Sequence, residues 1–397
     1  MVISGNRSVT MTFITLIAVI FAILIILHNS SGQTVDGVQP RFKTVENILQ
    51  DAIDQGVVGS AVGLIARGDQ ILFLKAVGEI GPGDPMPVNA IARLASIQKP
   101  ITTVAVLMLW ERGQLSLTDP ADRWLPDFGK RVLTADGDTI ASVRCPTVFD
   151  LLTHQAGLIP SGPELDELWD VSSTQEFAQR IGKIPLRFQP GTRFEYGCCG
   201  SAYEALAAIV EKVSGQSFKD FLTSNVLEPL EMKDTYFFVP GGKLHRLATI
   251  YGRRDGRLTV VRARGDEPPE NAFYAGGGSL RSTVSDYYRL VLMLLSGGEL
   301  DGIRLLKAET VRMMTSNQVG SKYPFSGFGW GFGMRVRTDI KDSAASFGWS
   351  GGTGTQFEVD PGSRIIAIIF APTRPGTPGV VDMRNEFISK AMAAVGN

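Results

Sequence analysis

The sequence predicts an α/β protein of the α+β kind: one antiparallel β-sheet flanked by terminal helices, with a mainly helical subdomain inserted between the two halves of the sheet. Three observations carry that expectation. Strand-like segments lie near both ends of the 397 residues, the pattern between about Ser96 and Ser296 is mainly helical, and each strand-rich end carries its own helix. A chain of this length lies above the usual single-core ceiling, so the main domain is expected over 41–397, with its sheet region at 41–95 and 297–397 and its helical region at 96–296.

Residues 1–40 differ from everything that follows. Residues 11–27, MTFITLIAVIFAILIIL, are uninterruptedly apolar, with Arg7 before them and Arg41 as the next Lys or Arg. At roughly 1.5 Å per residue the run spans about 26 Å, short for a membrane span and long for a signal-peptide core. Arg7 on the near side favours an N-terminus in the cytoplasm and export of the remainder. The expectation is a cell-envelope protein whose main domain is extracytoplasmic, attached through a single N-terminal anchor or released from a cleaved signal peptide. Ser30-Ser31-Gly32 lacks an A-x-A pattern, which favours the uncleaved anchor.

Residues 42–56, FKTVENILQDAIDQG, place Val45, Ile48, Leu49 and Ile53 on one face and read as an amphipathic helix ended by Gly56. AVGLIARGDQILFLKAVG then reads as two strands joined at Arg67-Gly68-Asp69. Long loops rich in Gly and Pro occupy about 126–146 and 239–270. After Gly329 come WGFGMRVRT, TQFEVD and RIIAIIFAP, with Asp360-Pro361-Gly362-Ser363 turning the last pair, and a closing helix fits 380–395.

With 39 basic and 40 acidic residues and no long basic block, nucleic acid is excluded as a partner. Cys145, Cys198 and Cys199 are too few for a disulfide framework, and adjacent cysteines bridge only with strain, which leaves a pair between Cys145 and one of the others open if the chain is exported. Three histidines lack metal-ligand spacing and no GxxxxGK phosphate loop occurs, so no metal or cofactor is expected. His154 reads as a structural helix-end residue and His245 as a surface loop residue. The expectation is a monomer acting on a small-molecule or peptide substrate.

The candidate chemistry lies in LASIQK at 94–99, which opens onto the apolar run ITTVAVLMLW. If a helix begins at Ser96, Lys99 lies one turn later on the same face. The helix N-terminus stabilises negative charge at the serine, and burial with the helix dipole favours a neutral amine, the pairing of an attacking hydroxyl with its base. Ser96 is the only serine with a lysine three residues on. Chance alone would give about one or two such spacings in a chain this long, and a helix-end serine with a snorkelling lysine is the structural alternative.

Further segments supply the context: LASIQKPIT at 94–102, LLTHQAGL at 151–158, PGTRFEYG at 190–197, AIVEKVSGQSF at 208–218, LEPLEMKDTYF at 227–237, AGGGSLRSTVSDYYRL at 275–290 and FGWSGGTGTQFEVDP at 347–361. In these the chain resembles the serine β-lactamase-like superfamily, on the side of class C β-lactamases, D-alanyl-peptidases and related esterases, over about residues 42–395. The resemblance implies the β-lactamase/transpeptidase-like fold. It also implies Ser96 as acylated nucleophile, Lys99 as its base and Tyr196 as a partner in proton transfer. Backbone N–H groups of Ser96 and Gly352 would form the oxyanion hole, and Cys198, Trp349, Ser350 and Gly351 would meet substrate.

Two departures narrow this. Cys198 stands where the family carries asparagine, and cysteine is a poor hydrogen-bond partner by comparison. Trp349 stands where many members carry lysine, which removes a cation for a substrate carboxylate. Arg374 and Arg384 are candidates to replace that charge, although no motif fixes either. The expected activity is a serine hydrolase forming an acyl-enzyme at Ser96 and cleaving an ester, amide or D-peptide-like bond, rather than an efficient β-lactamase. The alternative is a catalytically silent envelope protein that binds a partner. Gly348-Trp349-Ser350-Gly351-Gly352 also spells G-x-S-x-G, but a nucleophile elbow needs a following helix and a later histidine, and the last histidine is His245.

Overall fold

The pairing of Val62 with Phe370 through Arg67 with Ile365 joins the two ends of the main domain into one sheet. The computed structural model describes residues 39–159, 167–196, 201–271, 273–339 and 346–396. The apolar run at 11–27 and Cys198 lie outside the described residues, and among those described no helix is long and apolar enough to cross a membrane.

The N-terminal half of the sheet consists of β1 (Ser60–Arg67), β2 (Gln70–Gly81) and the short β3 (Asp84–Pro85). The C-terminal half consists of β4 (Phe328–Trp330), β5 (Arg335–Arg337), β6 (Phe347–Gly351), β7 (Thr355–Asp360) and β8 (Ile365–Phe370). The order across the sheet is β4-β5-β6-β7-β8-β1-β2-β3, antiparallel throughout. The antiparallel sheet expected from the two strand-rich ends is therefore present.

Both faces of its centre are covered, which explains why β8 is the unbroken apolar run IIAIIF rather than an alternating one. On one face lie α1 (Lys43–Asp54) and α5 (Val380–Gly396), whose Leu49 and Phe387 press on Gly63 of β1. On the other, α4 (Val284–Leu295) sets Tyr287 against Phe357 and Phe370, and the tyrosine hydroxyl donates to Ile97 O at 2.7 Å.

Behind that face lies α2 (Lys99–Glu111), in which every residue from Lys99 to Leu109 is buried. A helix buried on all sides belongs in a core, and this one, mostly apolar, packs beside α3 (Ser201–Ser214). Each large side chain so buried contributes about 1.5–3 kcal/mol, so the helix that follows Ser96 is strongly held in place.

Two segments read from sequence as Gly- and Pro-rich loops contain hairpins, Arg131–Leu133 with Thr139–Ala141 and Ile250–Arg254 with Arg257–Arg262. The second turns at Asp255-Gly256, both with positive φ (52° and 77°), the backbone that a tight hairpin turn requires. Its strand 257–262 is largely solvent-facing, so it carries no apolar alternation to announce it. Cys145 is a free thiol, half-buried and donating to Phe128 O at 3.4 Å, while Cys198 and Cys199, its possible disulfide partners, lie outside the described residues. Burial pushes that thiol up to about 11.

Candidate functional site

Ser96 lies in a 3₁₀ turn, Ala95–Gln98, and the α-helix proper begins only at Lys99. The expected helix start at Ser96 is thus shifted by three residues, with a useful consequence: in a 3₁₀ turn residues three apart stack over one another. Lys99 Nζ accordingly lies 3.0 Å from Ser96 Oγ. The lysine is fully buried, and its second bond is to the carbonyl of Gly277 at 3.2 Å. Both of these partners are neutral oxygens.

The turn is held under strain. Ala95 has a φ of 49°, a left-handed conformation that costs an L-residue about 1–2 kcal/mol. Its neighbours are fixed from two sides. Leu94 N donates to Leu280 O at 2.9 Å, while Thr355 Oγ1 donates to Leu94 O at 2.7 Å and Thr353 Oγ1 to Arg93 O at 2.6 Å. Residues 351–355 are therefore anchored to the backbone just ahead of Ser96.

The glycine-rich segment AGGGSL at 275–280 is the opposite anchor. Gln98 Nε2 donates to Ala275 O at 2.6 Å, its Oε1 accepts from Leu280 N at 2.7 Å, and Thr102 Oγ1 donates to Gly276 O at 2.6 Å. A Cβ on Gly276 would stand 2.0 Å from the carbonyl oxygen of Tyr203, so only glycine lets this strap lie directly on α3.

Tyr196 completes the group. Its ring centre is 5.3 Å from Lys99 Nζ, and its hydroxyl accepts a bond from Trp349 Nε1 at 3.1 Å. Trp349 stands half-buried on β6 opposite Phe357, Ser350 opposite Gln356, and Gly351 lies against Leu94 O. Ser96, Lys99, Tyr196, Trp349 and Gly351 thus converge, with Gly352 next in the chain after β6. A strand, β7, follows that turn, which rules out the elbow reading of Ser350.

Sequence reasoning missed an aromatic wall. Trp330 is fully buried with its ring 4.5 Å from Trp349 and 5.5 Å from Tyr196, and Phe194 and Tyr323 extend the cluster to the exposed Phe325. Trp330 occurs in a segment read only as strand; the aromatic content of FGWGF was the available signal.

His154 backs this wall. It ends the short helix Val148–Leu152 with a φ of 54°, and its ring lies 4.7 Å from Tyr196 and 5.4 Å from Tyr203. Its Nε2 has no hydrogen-bond partner among the described residues. Burial, aided by the charge of Lys99, lowers its pKa well below the ordinary histidine range. His245 is exposed in the turn Gly241–Arg246. Arg384 is buried and donates to Gly351 O at 2.8 Å and Thr355 O at 2.7 Å, so its charge supports the strand ends. Arg374 is exposed.

An antiparallel sheet joined to a helical layer, with a serine and a buried lysine at their junction, defines the class: a penicillin-binding-type serine hydrolase. The chain belongs to the β-lactamase family, its residues 43–391 matching the family described as Beta-lactamase. It is 29% identical over 343 residues to "Esterase EstB" of Burkholderia gladioli, covering 76% of this chain and 81% of the relative. It is 27% identical over 415 residues to a "Putative D-alanyl-D-alanine carboxypeptidase" of Escherichia coli K12, covering 95% and 93%. Among solved structures, "EstCE1, a hydrolase with promiscuous acyltransferase activity" shares the fold at a TM-score of 0.73 and 24% identity, covering 90% of this chain and 98% of the other.

Two measurements check the packing around the site. Gly276→Ala should lower stability by about 2 kcal/mol or more in urea unfolding and displace the strap, whereas Gly241→Ala, with nothing within 4 Å, should stay within about 0.5 kcal/mol of the parent. His154 is neutral in the fold while the unfolded chain binds a proton below about pH 6.5, so this residue contributes stability that is lost as pH falls from about 7 to about 5. His154→Asn, which tolerates the same backbone, should show a smaller drop over that interval.

Proposed function

We propose that the protein hydrolyses neutral esters of small apolar acyl groups through an acyl-enzyme at Ser96. The observation that carries this reading is the 3.0 Å approach of the buried Lys99 amine to the Ser96 hydroxyl. A neutral amine there takes the hydroxyl proton as Oγ attacks the ester carbonyl. The oxyanion is received by the N–H groups of Ser96 and Gly352, each such donor contributing about 3 kcal/mol to the transition state. Tyr196, beside Lys99, relays that proton from the ammonium to the departing alkoxide, which leaves the amine neutral again. Water then enters, loses its proton to the same amine and releases the acid, restoring the serine.

The ester preference is supported by what surrounds the site. Trp349 offers an indole in place of a cation, Arg384 is committed to backbone carbonyls, and Trp330, Phe194 and Tyr323 extend an apolar wall. A substrate with a terminal carboxylate would find no partner in this set, while an uncharged acyl chain would be desolvated favourably. The relative named an esterase accords with this reading. The apolar run at 11–27 supports placing the domain outside the cytoplasmic membrane.

The test is a side-by-side comparison of p-nitrophenyl butyrate, a D-alanyl-D-alanine peptide and a chromogenic cephalosporin. We expect kcat/KM to be about 100-fold or more higher for the ester. Ser96→Ala and Lys99→Met should each lower it by about 10³-fold or more, and Tyr196→Phe by about 10²-fold. Preferential cleavage of the peptide would contradict the substrate assignment, and full activity in Ser96→Ala would contradict the mechanism.

A further inference from the structure

One buried acid near the site takes no part in the chemistry just described. Glu204, on the first turn of α3, is 1% exposed. Its Oε1 accepts a bond from Gly277 N at 2.9 Å, and the carbonyl of that same residue accepts from Lys99 Nζ at 3.2 Å. Its Oε2 is buried without a hydrogen-bond partner among the described residues. The preceding residue, Tyr203, places its ring centre 5.5 Å from the amine. Gly277 is thus gripped by a carboxyl group on one side and holds the amine on the other.

We propose that Glu204 is a positioning residue that sets, through Gly277 and through its charge, the pH at which Lys99 gives up its proton. The inference rests on Lys99 acting as the base. An amide would hold Gly277 N–H equally well, since only a carbonyl-type acceptor is required there. What the carboxyl adds is a charge that can be switched. Ionised, it attracts the ammonium and delays loss of its proton; protonated, it exerts no such pull. Burial raises the Glu204 carboxyl to about 8, with the charge of Lys99 pulling the other way. The other titratable groups facing the pair are Tyr196, Tyr203 and His154; burial holds Tyr203 protonated and His154 neutral.

The experiment is the pH dependence of kcat/KM on p-nitrophenyl butyrate, from pH 5 to 10, for the parent, Glu204→Gln and Glu204→Ala. Glu204→Gln keeps an acceptor for Gly277 N–H and loses the charge, so its acid limb should move to lower pH by about one unit. Glu204→Ala also releases the strap, so its plateau should fall by about tenfold, a loss that glutamine largely rescues. A second readout needs no variant: acylation of the parent Ser96 by a fluorophosphonate should show an acid limb broader than a single ionisation, because two coupled groups titrate. Superimposable parent and glutamine profiles, or a limb that fits one group, would overturn the proposal. If Ser96→Ala and Lys99→Met are inactive while the glutamine profile is unmoved, only Glu204 loses its role. If those two variants retain activity, the base assignment itself fails.

Discussion

Lys99 is fully buried one tight turn after Ser96, and its amine touches the serine hydroxyl and a backbone carbonyl. An ammonium in such a place is costly by several kcal/mol, because neither oxygen carries the negative charge that would replace its hydration. The remaining features of the site follow from that constraint. A chain that buries this amine must hold its partners firmly, or the side chain would simply turn toward water. The amine so held has the Ser96 hydroxyl as a direct neighbour at 3.0 Å, the contact on which the proposed acylation rests.

The rest of the fold supplies the hold. Residues 351–355 bind the backbone at 93 and 94, and the strap at 275–280 binds Gln98, Lys99 and Thr102, so the 3₁₀ turn is clamped between a strand end and a glycine loop. The strained Ala95 backbone persists because both clamps act on its neighbours. Behind them, α2, buried from Lys99 to Leu109, secures the base of the turn, and Arg384 ties the two strand ends together from α5. Tyr196, Trp349 and Trp330 close the remaining side with aromatic carbon, the surroundings on which the proposed preference for uncharged substrates rests.

Much of this was legible in the sequence, and the unread parts have physical reasons. The spacing of Ser96 and Lys99 speaks for itself because it is local, and so do β1 and β2, whose turn at 67–69 is marked by glycine. The start of α2 was misplaced because a 3₁₀ turn has no residue pattern distinct from the first turn of an α-helix. Trp330 and Glu204 were passed over for a different reason: each meets partners far away in the chain, Trp330 meeting Tyr196 and Glu204 meeting Gly277. An acid inside SAYEALAAIV looks like the polar face of a helix until a distant loop covers it.

The most direct test of the account is to stop turnover of p-nitrophenyl butyrate with acid during the steady state and weigh the protein and its peptides by mass spectrometry. The account predicts a butyryl group on the peptide containing Ser96, at the serine oxygen, and none on the Lys99→Met chain. Rapid hydrolysis with the adduct on any other residue would contradict it.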